Sequence, residues 1–275
     1  MKVIKDNSDK YRINAMCELL NISRSLVYYQ RKQKKIDFTL ENLIISIFDS
    51  SRKNYGSRKI KVELFKQGYS VSLRRIRRIM AEYGLISNYS LKQFKKYKTT
   101  CNNAPIPNIV DRNFQERKYF EVIISDLTYV RVAERWGYVC LIIDLFNREI
   151  VGFSSEAHKN ALMVEKAFST IKEDLSLAEI FHSDRGNEFD NHLITDVLFK
   201  FDIKRSLSRK GNPYDNAVAE ATYKIFKTEF CFNRKFDNLE QLDRELFDYV
   251  NWFNNHRIYS SLDYLTPVQY KSLHI

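Results

Sequence analysis

Cysteine is scarce in this sequence, and its placement excludes more than its number does. The four cysteines, Cys17, Cys101, Cys140 and Cys231, stand far apart and show no C-x-x-C spacing. That pattern argues against a zinc knuckle or a disulfide framework and suits a reducing cytoplasm. Long apolar runs are missing as well. None approaches the roughly 20 residues that a membrane span needs, and residues 1–10 are polar and charged, unlike a secretory leader. Neither an internal repeat, nor a low-complexity tract, nor a heptad zipper is visible.

What is present is a chain of 275 residues, 44% of them hydrophobic, enough to fill the core of one large domain or two smaller ones. Its net charge of +11 is unevenly placed. Residues 1–100 hold 23 Lys/Arg against 8 Asp/Glu, whereas residues 101–275 hold 22 against 26. The basic excess therefore belongs wholly to the N-terminal third, and nucleic acid is the natural polyanion partner.

Periodicity divides the chain in the same way. Residues 10–32 read as two short helices around the turn at Asn21, with Ser23 a candidate N-cap for a helix reaching Arg31. Residues 39–50 carry Leu40, Leu43, Ile44 and Ile47 on one stripe. Gly56 is expected to supply the following turn, and Gly68 to end a helix over 59–66. A third helix opens at Ser72 and closes at Gly84. Leu73, Ile76, Ile79 and Met80 form its apolar stripe, while Arg74, Arg75, Arg77 and Arg78 cover its other faces, ready for phosphates or a DNA groove. Polarity rises over 91–118, where Lys92, Lys95, Lys96 and Lys98 mark a basic linker.

Beyond the linker, strand-like runs occupy 119–130, 136–146 and 149–155. A helix over 160–175, a strand over 179–183, a helix over 191–201, a strand over 203–208 and a helix over 214–230 follow. Two further helices are expected, one over 239–254 and one starting at Pro267. The order β-β-β-α-β-α-β-α implies an α/β fold, a mixed sheet flanked by helices, preceded by an all-α, helix-turn-helix-like domain. Four segments result: a short helical start (1–35), the helix-turn-helix-like domain (36–90), the linker (91–118) and a sheet domain with C-terminal helices (119–275).

Three acids fall where open sheets place reactive groups. Asp126 lies in the first strand, Asp184 just past the fourth, and Glu220 in the helix after the fifth. Carboxylates brought together repel one another, and hard cations such as Mg²⁺ or Mn²⁺, which prefer oxygen ligands, relieve that repulsion. Two such ions roughly 3.5–4 Å apart support phosphoryl transfer. Other acids compete. Asp144 could replace Asp126, although a turn-capping role suits its place at a strand end. Asp215 reads as an N-cap or first-turn acid of the helix bearing Glu220. Glu188 is a loop candidate for metal, and His182 a structural residue, ligand or base.

The motifs D-L-T-Y from Asp126, H-S-D-R-G-N-E-F from His182 and S-R-K-G-N-P-Y-D-N-A-V-A-E from Ser208 together resemble the second-frame transposases of the insertion sequence 3 family. The thirty-five residues between Asp184 and Glu220 are similar to that family's D,D(35)E pattern, and Lys227, seven residues after Glu220, to its added basic residue. Tyr55-Gly56-Ser57-Arg58 and the stretch from Arg77 to Leu85 resemble the family's helix-turn-helix-like region. Ile123 stands where the family often has Trp, and Arg185 where it often has Gln.

The resemblance implies an RNase H-like integrase core that cuts and joins DNA strands at insertion-sequence ends. Asp126, Asp184 and Glu220 would be catalytic and would hold two Mg²⁺ ions, with Mn²⁺ a possible substitute. Candidate DNA contacts are Arg58, Arg74, Arg75, Arg77, Arg78, Lys210, Asn216 and Lys227. The implied partners are transposon-end and target DNA, a first-frame protein or a fusion with it, and further copies of the chain on DNA, in a bacterial cytoplasm at the nucleoid. The rival readings are a catalytically decayed DNA-binding regulator and an RNase H-type nuclease.

Overall fold

The computed structural model describes residues 2–29, 38–90, 106–115, 117–210, 212–232 and 234–275. The chain divides into two compact units, residues 1–41 and 42–275. In the first, α1 (Lys2–Asp6), α2 (Ile13–Leu19) and α3 (Arg24–Tyr28) close over Ile4, Cys17 and Val27, with Ile13, Met16 and Ile22 beside them. α3 ends at Tyr28, short of the expected Arg31, which lies outside the described residues along with most of the expected linker. The Ser23 hydroxyl pairs with Ser25 and does not cap the helix.

The second unit holds most of α4 (Phe38–Ser50), then α5 (Ser57–Lys66) and α6 (Leu73–Glu82). The left-handed residues of the turn between α4 and α5 are Arg52 and Lys53, and Gly56 has φ −87° and caps α5. Ser51 permits this: its hydroxyl donates to the Phe48 carbonyl and accepts from Tyr55 N–H, so the turn is closed by side chain and not by glycine. Gly68 and Gly84 do close α5 and α6 as expected. Ser72 caps α6 by accepting from Arg75 N–H.

These helices pack on the C-terminal half of the unit. Trp252 donates its indole N–H to the Ser50 carbonyl at 3.1 Å, and Tyr55 donates its hydroxyl to the His256 carbonyl at 3.1 Å. Beneath them Arg257 grips Glu229 through Nε at 2.8 and 3.0 Å, while Tyr89 and Tyr249 donate to the same carboxylate.

The sheet has the order β3-β2-β1-β4-β5. β1 (Val122–Val132), β2 (Arg135–Asp144) and β3 (Ile150–Glu156) are antiparallel, and β4 (Ile180–Ser183) and β5 (Lys204–Leu207) add in parallel beyond β1. This mixed sheet is the expected RNase H-like architecture. Alternation along β1 explains its two cores. Val122, Ile124, Val130 and Val132 face α9 (Ala217–Phe226) and α10 (Leu239–Asn255), meeting Ala219, Tyr223, Phe226, Leu246 and Phe253. Ile123 faces α7 (Ala161–Ser169) and α8 (His192–Lys200), meeting Met163, Ala167, Phe181 and Leu198. α11 (Pro267–His274) opens with a full capping box from Thr266 and Gln269.

Two helices end differently from expectation. α7 stops at Ser169, because Thr170 turns its hydroxyl to the backbone of Phe153 and of Ala167, tying the helix end to β3. The helix expected over 214–230 is three pieces: a 3₁₀ turn (Pro213–Asn216), α9, and a π-turn (Lys227–Cys231).

The packing of α7 on β3 is close at Gly152. A Cβ there would stand 2.6 Å from the Ala167 carbonyl oxygen, a backbone atom that cannot swing aside. Gly152→Ala is therefore expected to destabilise the protein by about 1–3 kcal/mol, the scale of core overpacking, read as a lowered urea midpoint. An unchanged midpoint would mean that α7 is not pressed against β3.

Candidate active site

Backbone pairing alone brings two of the three acids together. The parallel ladder between β1 and β4 ends at the pair Ser125–Ser183, and the next residue on each strand is an aspartate, Asp126 and Asp184. Neighbouring strands lie about 4.8 Å apart, so the two carboxylates leave the sheet side by side. The third acid is tied in by a tyrosine. In the antiparallel register Asp126 faces Leu141, and the Tyr223 hydroxyl enters that pair, donating to the Asp126 carbonyl and accepting from Leu141 N–H at 2.7 Å. Glu220 lies three residues before Tyr223, in the first turn of α9, about 4.5 Å along the axis. The positive end of the helix dipole favours a carboxylate there.

The electrostatics agree with this placement. Burial first, then the charge of Asp184 and more weakly that of Glu220, push the Asp126 carboxyl up to about 7, against the pull of Leu127 N–H and of Lys159. Asp184 is also raised, by burial and then by Glu188, although Gly186 N–H donates to it at 2.9 Å. Among the described residues, no group of three His, Cys, Asp or Glu side chains is gathered closely enough to hold a metal ion as it stands. The donor chemistry still fits a hard dication: all three groups offer oxygen, and a dication relieves the like-charge repulsion that raises Asp126.

The competing residues fall into other roles. Asp144 is buried and accepts from Phe120 N–H at 3.1 Å and Phe146 N–H at 2.9 Å, capping the turn after β2. Asp215 does not cap α9. Its carboxylate accepts from Arg112 Nε at 2.8 Å and from Arg209 N–H at 3.1 Å. His182 is fully buried, and both its ring nitrogens are engaged. Ile109 N–H donates to Ser206 Oγ, leaving the Ser206 hydroxyl to donate to Nδ1, while Nε2 donates to the Asp215 carbonyl. Burial pushes this imidazole down to about 4, so it is neutral and structural.

Glu188 is buried near Asp184, held by Lys159 Nζ at 2.8 Å. A Cβ on Gly186 would meet the Glu188 carboxylate at 2.1 Å, so the glycine makes room for this acid.

Comparison with known proteins bears on this site. Integrase core domain models match residues 116–213 and 220–274, and an HTH-like domain model matches residues 35–93. The chain is 28% identical over 279 residues to the putative transposase InsK for insertion sequence element IS150 of Escherichia coli (strain K12), with 99% of this chain and 98% of that one covered. It is 30% identical over 270 residues to the insertion element IS600 uncharacterized 31 kDa protein of Shigella sonnei, covering 93% of this chain and 97% of that one. The chain belongs to the insertion sequence 3 family of transposases. Among solved structures it is similar to the trimeric form of the HTLV-2 integrase catalytic core domain in complex with magnesium, at 15% identity and a TM-score of 0.42, covering 61% of this chain and 98% of that one.

The transposase thus has an integrase core preceded by an HTH-like domain, and its function is DNA transposition. Of the candidate DNA contacts, Arg58, Arg74, Arg77, Arg78, Lys210 and Lys227 are exposed and Arg75 is half-buried. Arg77 donates to Ser57 at 3.3 Å, and Arg78 pairs with Glu82 at 3.5 Å. Asn216, by contrast, is buried. In place of the family's Gln, Arg185 of the transposase donates to the Ser208 carbonyl at 2.7 Å, and Ile123 fills a fully buried core position.

Sequence reading missed Tyr223 and Lys159. Spacing offered one signal for the first, since Tyr223 shares a helical face with Glu220 and Lys227. For Lys159 there was none, because its partners lie on loops remote in sequence.

Proposed function

We propose that Asp126, Asp184 and Glu220 form the site at which the transposase cuts and joins DNA, and that these carboxylates hold divalent metal, Mg²⁺ or in its place Mn²⁺. The observation that carries the reading is the backbone arrangement: the Ser125–Ser183 pairing sets the two aspartates side by side, and Tyr223 fixes the Glu220 helix to Asp126. When bound, two such ions would favour deprotonation of the attacking oxygen and stabilise the leaving one.

The chain's own groups orient the reaction. Leu127 and Gly186 N–H hold the aspartates in place at 2.7 and 2.9 Å, and Lys227 offers a cation to the DNA phosphates two helical turns beyond Glu220. In the first step, water attacks the phosphodiester at the element's end, a new P–O bond forms, and the P–O3′ bond breaks to free a 3′-hydroxyl. In the second, that hydroxyl attacks a target phosphodiester and displaces the target's own 3′ oxygen, which takes up a proton. No covalent protein–DNA intermediate is required.

Duplex DNA is assigned to the arginine-rich α6. A first-frame protein or fusion, and further copies of the chain, complete the assembly in the bacterial cytoplasm.

A strand-joining assay with element-end DNA tests the reading. Products are expected with Mg²⁺ or Mn²⁺ and none after chelation. Joining that persists in chelator would overturn the metal assignment. Hydrolysis of RNA–DNA hybrid without joining would favour a nuclease, and DNA binding alone a regulator.

A further inference from the structure

We propose that the far end of the β1–β2 hairpin is a stacking platform for an unpaired DNA base beside the cutting site, built on Trp136 and Tyr129. β4 pairs with β1 only from Val122 to Ser125, so Asp126–Val132 continue past it. Among the described residues, pairing on that edge resumes only in the single bridge between Val132 and Phe236. α9 packs on β1, and the π-turn that continues it begins at Lys227. Tyr223 binds the Asp126 carbonyl, and four residues on, Lys227 Nζ stands 4.7 Å above the Tyr129 ring. Trp136, directly opposite Arg131 in the ladder, meets Tyr129 edge to face with ring centroids 5.0 Å apart. Arg131 lies 5.4 Å from the Trp136 ring and keeps Glu134 at 3.2 Å.

The result is a row of Lys227, Tyr129, Trp136 and Arg131 at the open edge of β1 that starts about 10 Å along the strand from Asp126, its residues of β1 and β2 alternating onto the sheet face opposite the Asp126 side chain. Single exposed aromatics are ordinary on protein surfaces. A tryptophan 51% exposed, in ring contact with a tyrosine and flanked by a cation at each end, is not. Rings offer a sequence-tolerant face to bases, and the cations match the phosphates between them. This charge complementarity commits the platform to a nucleic-acid strand. Stacking needs an open face on the base, so the occupant is a locally unpaired strand, not a closed duplex.

The proposal rests on the reading of Asp126 and Glu220 as the cutting site, but its test measures binding, not cutting. The full chain, free of divalent metal, is titrated with single-stranded DNA and with duplex DNA of the same mixed sequence. Trp136→Ala is expected to weaken single-strand binding about tenfold and duplex binding by less than about twofold, while Trp136→Phe retains both. Trp252, the other tryptophan, is buried, so wild-type tryptophan fluorescence should be quenched by the single strand and not by the duplex, a readout that needs no variant.

Four results would overturn the platform: equal loss on both DNAs, no loss on either, full retention by Trp136→Leu, or a dimer that Trp136→Ala dissociates without DNA. None of these touches the carboxylate site, which is tested separately and fails if the amide variants at Asp126, Asp184 or Glu220 stay active.

Discussion

Replacing Asp184 by Asn should lower cleavage and joining by roughly 10²–10³-fold or more, the scale on which one preorganised charged group acts, with duplex DNA binding preserved. The amide oxygen can still accept from Gly186 N–H, so the loop after β4 keeps its shape while the charge is lost. Asp126→Asn and Glu220→Gln should behave alike in activity.

Asp126→Asn carries a second, opposite expectation for stability. Its carboxyl is pushed up to about 7 in the folded chain, against an ordinary value of 3.8. The folded state therefore holds the proton more tightly, and the wild type loses stability as pH rises from about 4 through about 7. Without divalent metal, Asp126→Asn should be the more stable protein at pH 8, and the gap should close toward pH 4. Urea midpoints across that range check it. A variant inactive and also less stable at every pH would assign Asp126 to architecture.

The second large effect belongs to the buried ion pair. Arg257 and Glu229 have side chains 4% and 0% exposed. Arg257→Met removes the cation and leaves the carboxylate in a site where burial strongly disfavours its charge, which should cost about 3–5 kcal/mol. Adding Glu229→Gln should recover much of that loss, because the uncompensated charge disappears while the amide oxygen still accepts from one of the two tyrosine hydroxyls and the amide NH2 donates to the other. Urea unfolding of the single and double variants measures both. A loss under about 1 kcal/mol, the value of an exposed pair, would mean that the site is open to water. The pair also has functional reach. Glu229 sits in the π-turn that continues α9, the helix carrying Glu220, so the same substitution should loosen the site from a distance.

Much of this architecture was legible in the sequence because local chemistry set it. Hydrophobic and β-branched residues over 122–132 demanded a strand, and Asn160, Asn191 and Asn238 cap their helices through their side chains. The three acids proposed as the site were singled out by their places at strand ends and by the thirty-five residues between Asp184 and Glu220. What escaped depended on contacts between distant segments. The turn after α4 is closed by the Ser51 hydroxyl, so the conspicuous Gly56 misled. α7 ends where Thr170 meets β3, a contact invisible from helical periodicity. Tyr223 and the Asp126 carbonyl it binds are 97 positions apart, and no pattern in either segment announces the other. Asp215 looked like a cap because of its place before a helix, yet Arg112 and the Arg209 amide take its oxygens.

The central claim is that three carboxylates from β1, the end of β4 and the start of α9 converge on divalent metal. Anomalous diffraction from crystals of the transposase with DNA and Mn²⁺ tests it most directly. Manganese peaks are expected between Asp126 and Asp184 and against Glu220, and both should vanish in Asp184→Asn crystals. Manganese bound elsewhere, or bound at Asp126 and Glu188 with Glu220 turned away, would contradict it.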